Sequence, residues 1–351
     1  MKIGTTIQEL AQTLNEQQAS KRDFIVDTRN LKLDGEDNQL VLDSPEGTQL
    51  LNVDDNCHRQ VAQRLQIPWK YYDRMKSEQP DLLENNVNRW FDEEPENRML
   101  RTIDGSARAF LSDRYRRLDN LDMAQAVLPV LAEQDEMTIQ SCELTQSRMY
   151  IKAVFPKIEA EVTPGDVVQS GVVISNSETG QGAVKVESLV FRLVCSNGMI
   201  APGRGTRKNH IGRNAQGEDS VYELFTDETL KADDRAFWMK IQDTVRAAAE
   251  NTTRFKDITY RMAELTANPI EKAPDKTVEL LAQEMTLTDG ERGSVLTHLI
   301  GGGDLSQYGL MNAVTRTAED AHTYDRATEL EALGGQFLDM SDSQWRKIAL
   351  N

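Results

Sequence analysis

Residues 166–213, DVVQSGVVISNSETGQGAVKVESLVFRLVCSNGMIAPGRGTRKNHIGR, contain two strand patterns followed by a basic segment. The runs 167–175 and 183–195 are rich in β-branched and apolar residues, and the second run begins with apolar–charged alternation. The turn formers at 176–180 separate these runs. Together these features predict a long antiparallel hairpin.

The segment 203–213 carries four Lys/Arg residues and no acidic residue, in a chain whose formal net charge is −17. Its glycines would let backbone N–H groups approach an anion, so the pattern predicts a loop that binds a polyanion. A basic loop that only improves solubility is the alternative. The residues that the first interpretation assigns to binding are Arg204, Arg207, Lys208, His210 and Arg213.

Length and composition limit the class of protein. With 351 residues and 39% hydrophobic content, the chain has room for two or three compact globular units. No apolar stretch approaches the length of a membrane span, and the N-terminus lacks the pattern of a signal peptide. Three cysteines without a CxxC motif indicate a reducing compartment, so we expect a cytoplasmic protein that has no membrane partner.

The segment 97–155 predicts two strands around the Asp104-Gly105 turn, a helix over 118–134 and a further strand at 149–155. Strands that follow one another in sequence are usually neighbours in a sheet. We therefore expect an α+β fold, in which these strands and the hairpin described above form one antiparallel sheet backed by a helix.

The rest of the chain divides by pattern. The predicted segments are an α+β cap at 1–56, a helical hairpin at 57–96, the sheet-and-helix core at 97–225, and a helical C-terminal part at 226–351. Within the last segment, the spacing predicts one helix over 308–333 and a final helix capped by Ser341 or Asp342.

Residues 59–75 have the outline of a helix-turn-helix, with helical patterns on both sides of a break near Gln66. One hypothesis is that the second helix contacts duplex DNA. The residues that this hypothesis assigns to contact are Lys70, Tyr71, Tyr72 and Arg74. A helical hairpin that packs on the core explains the same pattern and is the preferred interpretation.

A second basic run lies at 98–118, with six arginines and two acids, whereas 218–234 has seven acids and one lysine. Arginines next to a tyrosine suit phosphate contact and base stacking, and pairing with acids of the N-terminal cap is the alternative. The candidates in this run are Arg101, Arg108, Arg114, Tyr115, Arg116 and Arg117. Lys152, Lys185 and Arg192 on predicted strands are further candidates, and a solvated sheet face is their alternative.

Motifs of common enzymes are missing from the sequence. The four histidines lack metal-site spacing, and there is no phosphate-binding loop, dinucleotide fingerprint or nucleophile elbow. The glycine run at 301–303 is followed by no lysine, so it predicts a hinge. We therefore assign no catalytic residue, metal or cofactor.

Several motifs resemble one known family. They are LSDRYRRLD at 111–119, SNSETG at 175–180, FRLVCSNG at 191–198 and YGLMNAVT at 308–315, together with the segment 58–75. In this order they resemble the phage/plasmid-like family known as domain of unknown function 932, over about residues 55–350. The resemblance implies a protein carried by phages, plasmids or other mobile elements, and it implies no established reaction.

The order of elements is also similar, more loosely, to the core of phage single-strand annealing proteins. That similarity implies rings or filaments that hold single strands in a basic groove without a cofactor. We therefore expect a non-enzymatic protein that binds single-stranded nucleic acid in recombination or replication. The alternatives are an interaction factor, either a regulator or a counter-defence protein, and, third, an uncharacterised enzyme.

The segregation of charge also predicts how copies of the chain would associate. We expect a homo-oligomer in which the acidic segment 218–234 meets a basic segment of the next copy. The competing interpretation is a monomer in which the acidic segment folds back over the chain's own basic loop at 203–213 and masks it.

Overall fold

The computed structural model describes residues 1–45, 47–208, 227–250 and 252–350. His210 and Arg213, two residues of the predicted basic loop, lie outside the described residues. The described chain is α+β, as predicted, with two sheets and a helical C-terminal part.

The first sheet is built from strands that come before and after the helices at 55–93 in the sequence. Its strands are β1 (Arg22–Asp27), β2 (Leu31–Asp34), β3 (Gln39–Ser44), β4 (Gly47–Val53), β5 (Asn97–Ile103) and β6 (Ser106–Ser112). In space they lie in the order β1-β5-β6-β4-β3-β2, and β4 runs parallel to β6. The helices of this region are α1 (Ile7–Ser20), α2 (Asp55–Arg64), α3 (Trp69–Glu78) and α4 (Pro80–Glu93).

Local turn chemistry explains two connections here. Asp104 and Gly105 both have positive φ, at 52° and 75°, which is what a two-residue hairpin turn of type I′ requires. The predicted hairpin is therefore confirmed. Gln66, between α2 and α3, also has a positive φ of 55°, in the turn where a glycine is usual. Helices α2 to α4 pack on one face of the sheet, around Leu42, Phe91 and Leu100.

The second sheet is an antiparallel meander. Its strands are β7 (Thr138–Leu144), β8 (Met149–Glu161), β9 (Val167–Asn176), β10 (Val184–Arg192) and β11 (Asn197–Lys208), and they are neighbours in sequence order. The β9–β10 hairpin confirms the prediction from the opening sequence, with Ser170 opposite Val190 in the register. We did not predict β7, whose apolar residues are interrupted by polar ones.

The expectation of one shared sheet is wrong. Strand β5 pairs with β1, and β6 pairs with β5 and β4, so the hairpin at 97–112 belongs to the first sheet. The physical reason is that Leu100 and Phe110 face the core under α2 to α4, and Arg101 lies opposite Asp23 in the register. The first sheet thus contains strands from both sides of residue 97, where the sequence pattern predicted a boundary between segments.

The prediction of a loop from residue 203 is also wrong for its first part, because the chain remains in β11 to Lys208. Val186 pairs with Thr206 and Ser188 pairs with Ala201, so residues 202–205 lie opposite the single residue Glu187. Pro202 removes a ladder donor and the glycines weaken regular pairing, which suits a bulge of this kind.

Helices cover both faces of the meander. They are α5 (Asn120–Ala132), α6 (Asp227–Glu250), α7 (Thr252–Leu265), α8 (Pro274–Glu284), α9 (Asp289–Gly302), α10 (Gln307–Thr317), α11 (Tyr324–Gly335) and α12 (Asp342–Ala349). Val172 and Ile174 pack with α5 and α6, while Val173 between them faces the side of α11. This alternation explains why the strand sequence is apolar almost throughout.

The long helix predicted at 308–333 is in fact two helices. Helix α10 ends at Thr317, and the Thr323 side chain accepts a hydrogen bond from the Arg326 N–H to begin α11. The predicted Ser341 cap of the last helix is confirmed by its bond from Gln344 N–H. No described helix combines the length and apolarity needed to cross a bilayer.

Candidate nucleic-acid interface

Arg101, a predicted nucleic-acid contact, is fully buried. Its Nε and Nη2 donate to the Asp23 carboxylate at 2.8 Å each, and its Nη1 donates to Asp119 at 2.8 Å and to the Glu178 carbonyl at 2.9 Å. Lys21 also reaches Asp119, at 2.6 Å. This corrects the prediction, because the guanidinium holds β1, α5 and the β9–β10 turn together and does not face solvent.

Lys152 is corrected for the same reason. Its side chain and that of Glu331 on α11 are both 0% exposed, and Nζ donates to Oε2 at 2.6 Å. The Tyr324 ring lies 4.6 Å from the same Nζ. Lys152 is buried because helices cover both faces of β8, so neither a nucleic-acid contact nor a solvated sheet face describes it.

Three other predicted arginines are engaged with acids of the same chain. Arg192 donates to both Asp166 oxygens at 2.7 and 2.8 Å, and Arg108 lies 3.1 Å from Asp54. Arg116 pairs with Asp233 at 2.7 Å and with Asp234. Both aspartates belong to the acidic segment 218–234, so part of that segment pairs with the second basic run of the same chain.

The remaining residues of the second basic run are more exposed. Arg117 is 52% exposed and its Nε lies 2.9 Å from Asp23, while Arg114 is exposed. Tyr115 packs beside the cluster of Met99, Ala109 and Leu111, and its OH donates to the Ser177 carbonyl at 3.1 Å. The Tyr115 ring therefore supports the turn and is not presented for base stacking, which corrects that prediction.

The helix-turn-helix outline is real in shape, since α2 and α3 follow one another across Gln66. Tyr72 is fully buried and its OH bonds His58 Nδ1 at 2.9 Å, so it is not a duplex contact. Lys70 and Tyr71 are exposed, and Arg74 pairs with Glu78 along α3 at 2.8 Å. Helix α3 thus packs its apolar side on the first sheet.

We expect the double variant Lys70→Ala with Arg74→Ala to leave duplex affinity unchanged, and to shift stability by no more than about 0.5 kcal/mol. Both side chains are exposed, and the Arg74–Glu78 pair is a surface pair along one helix. The measurement is a mobility shift with a labelled duplex, beside a thermal melt. Arg89→Ala is the matched control, because Arg89 is also exposed and pairs with Glu93 one turn away. A selective loss of duplex binding in the double variant would instead identify α3 as a DNA-reading helix.

Four of the predicted cations lie on β10 and β11 at one end of the meander. Lys185 is 30% exposed, with Glu187 at 4.0 Å, and in the register it lies opposite Arg207. Val184, the preceding residue, lies opposite Lys208. We call Lys185, Arg207 and Lys208 the basic rungs. Arg204 precedes Arg207 and Lys208 in β11 and lies within the bulge opposite Glu187.

Sequence reasoning missed one residue at this end. Arg148 Nη2 donates to the Gln181 carbonyl in the β9–β10 turn, and its guanidinium carbon lies 2.9 Å from the Cβ position of Gly182. A side chain at position 182 would therefore require the Arg148 guanidinium to move. The available signal was an arginine directly before a strand, which is too common to single out a site.

The four motif segments meet in two pairs. In the first pair, Asn176 Nδ2 donates to the Leu118 carbonyl at 2.8 Å, which joins 175–180 to 111–119. In the second pair, Asn197 Nδ2 donates to Thr315 Oγ1 at 2.6 Å, which joins 191–198 to 308–315. Among the described residues no group of His, Cys, Asp and Glu has the arrangement of a metal site.

Comparison with known proteins gives one match. A family model described as Domain of unknown function (DUF932) matches residues 109–315, which is more than half of the chain. A search of curated proteins and a search of solved structures found no match. The matched range contains β7 to β11, α5 to α9 and most of α10.

Proposed function

We propose that this chain, which belongs to the DUF932 family, binds single-stranded nucleic acid at the basic end of its meander. The observation that carries the proposal is the register of β10 and β11. In this register Lys185 lies opposite Arg207, and Lys208 follows Arg207 along β11. The three cations therefore occupy adjacent backbone positions at one end of the sheet.

The spacing of a sheet makes these cations act together. Neighbouring strands lie about 4.8 Å apart and residues along a strand about 3.3 Å apart. The three backbone positions therefore lie within roughly one Debye length at 0.1 M salt, so a phosphate chain that passes around this end of the sheet lies in range of all three charges. The net charge of −17 over the whole chain limits non-specific binding to polyanions.

Binding of this kind needs no catalytic group. Phosphate contacts supply affinity that depends on salt and not on sequence. A role in recombination or replication of a mobile element, a homo-oligomeric state and a cytoplasmic location belong to the same proposal, and the sequence resemblance supports them. The three cysteines, all free, suit a reducing compartment. The Arg116–Asp233 pair within one chain occupies part of the acidic segment that such an assembly would use.

The test is a triple variant of the basic rungs, Lys185→Ala, Arg207→Ala and Lys208→Ala. Three single-strand phosphate contacts give a slope of about −2 in a plot of log affinity against log salt. We expect the triple variant to lose most of the affinity for a labelled single-stranded oligonucleotide and most of this slope. The measurement is a mobility shift at several salt concentrations.

The matched control removes the same charge elsewhere. Lys32, Lys240 and Lys256 are exposed lysines on β2, α6 and α7, and their triple alanine variant should bind like the unchanged protein. Equal affinity of the two triple variants would overturn the proposal. If the unchanged protein also binds neither single-stranded nor duplex oligonucleotide, the interaction-factor alternative becomes the better function.

A further inference from the structure

A small cavity lies where the second pair of motif segments meets. It has a volume of about 50 Å³, between the β10–β11 turn and helices α9 and α10. Its polar lining consists of Arg192, Cys195, His298, Asp304, Asn312 and Arg316. A cavity needs roughly 10–15 Å³ to hold one water molecule. This cavity is therefore large enough for a carboxylate or a phosphoryl group.

The two arginines in the lining differ in their partners. Arg192 Nε and Nη2 bond both oxygens of Asp166, so its charge is compensated. Arg316 Nε is buried and has no hydrogen-bond partner within the described residues. None of the described carboxylates lies within ion-pair distance of Arg316, and Asp320 accepts instead from His298 Nε2 at 2.8 Å. Arg316 is partly buried, and its charge also acts on the Asp320 carboxylate. A buried donor left without an acceptor is destabilising, so the Nε–H of Arg316 has an unfilled requirement for an acceptor.

The local sequence explains how the cavity forms. Asn312 and Arg316 are four residues apart, so they share one face of α10. Gly309, one turn earlier, lets the backbone at Asp304 approach the helix, because a Cβ there would lie 1.8 Å from the Asp304 carbonyl oxygen. The β10–β11 turn places Cys195 at the opposite wall, where Arg192 Nη1 donates to its Sγ at 3.3 Å.

We propose that this cavity is a binding site for a small anionic group, a carboxylate or a phosphoryl group. The guanidinium of Arg316 supplies the counter-charge, and the amide of Asn312 supplies a second donor on the same helix face. Asp304 also lines the cavity and limits how much negative charge it accepts. The site is distinct from the basic rungs and does not depend on the proposed nucleic-acid binding.

Cys195 provides a readout in the unchanged protein. It is partly exposed and lines the cavity, whereas Cys57 and Cys142 are fully buried, so iodoacetamide should modify Cys195 first. The rate of this modification is measured by mass spectrometry with inorganic phosphate, with acetate, and with chloride at matched ionic strength. We expect phosphate or acetate to slow the reaction at least fivefold in a saturable way. Protection by only one of them identifies the group as phosphoryl or carboxylate.

The variant Arg316→Met tests the assigned residue. We expect it to fold with an unchanged or higher melting temperature, because it removes an unpartnered buried donor, and to weaken anion affinity at least tenfold. Arg346→Met on α12 is the matched control, since Arg346 is exposed and distant in the chain, and it should retain full protection of Cys195. If neither anion slows the modification more than chloride does, or if Arg316→Met is protected as well as the unchanged protein, the site is refuted.

Discussion

Replacing Lys152 with methionine will destabilise the fold by about 3–5 kcal/mol at pH 7, and Glu331→Gln will have an effect of similar size. The two side chains are completely buried and bond each other at 2.6 Å, so either single change leaves a buried ionisable group without its partner. The measurement is the free energy of unfolding from urea titration, for each variant and the unchanged protein.

The two single variants should have opposite pH profiles. Burial raises the pKa of Glu331 and lowers the pKa of Lys152. In Lys152→Met, the pKa of Glu331 in the folded state stays above its value of about 4.3 in the unfolded state, so stability is lost as pH rises through the folded value. In Glu331→Gln, the pKa of Lys152 stays below about 10.4, so the unfolded state binds more protons and stability increases toward alkaline pH.

The double variant Lys152→Met with Glu331→Leu is the control. It removes both charges and keeps most of the side-chain volume, so it should be close to the unchanged protein in stability, or above it. Losses below about 1 kcal/mol in both single variants, or parallel pH profiles, would contradict this account of the pair. Such a result would indicate that water reaches the site between β8 and α11.

Local chemistry made the hairpins predictable from the sequence. The positive φ angles at Asp104 and Gly105 depend only on residues that adopt them readily, and the apolar runs on both sides of 176–180 set the strands. Helices with regular apolar spacing were equally accessible. The partner of β5 was not, because pairing with β1 depends on a strand that lies more than 70 residues earlier.

Long-range pairs also explain why the candidate site was only partly predictable. Arg101 and Asp23 are 78 residues apart, and Lys152 and Glu331 are 179 apart, so nothing near either cation in sequence shows that it is buried. The turn at 176–180 was predicted, but its burial was not. Asn176, Ser177 and Glu178 are buried, with hydrogen bonds to segments distant in sequence.

Arg101→Met will destabilise the protein by about 3–5 kcal/mol, because it leaves the carboxylates of Asp23 and Asp119 without the guanidinium that both contact. The effect should reach beyond the first sheet. Arg101 also donates to the Glu178 carbonyl, so its loss removes a bond between β5 and the β9–β10 turn of the meander. Urea unfolding followed by circular dichroism measures the loss.

The pH dependence gives this prediction a second readout. Burial alone would raise the pKa of Asp119, but Arg101 and Lys21 outweigh it and hold the pKa below its ordinary value. That contribution is present above about pH 4 and is lost as pH falls through the folded-state pKa. Without Arg101, only Lys21 still opposes the effect of burial, so the pKa of Asp119 is lowered less and the variant has less of this contribution to lose. The deficit relative to the unchanged protein should therefore shrink as pH falls below about 4.

Arg117→Met is the matched control, because Arg117 contacts the same Asp23 from a position that is 52% exposed. Solvent screens that pair, so we expect a loss below about 1 kcal/mol and little change in the pH profile. If Arg101→Met lowers the free energy of unfolding no more than Arg117→Met does, burial does not determine the strength of these ion pairs. Arg101 then becomes a candidate for phosphate contact again. If the large difference is found, Arg101 is structural, and the proposed binding of nucleic acid depends on the basic rungs without it.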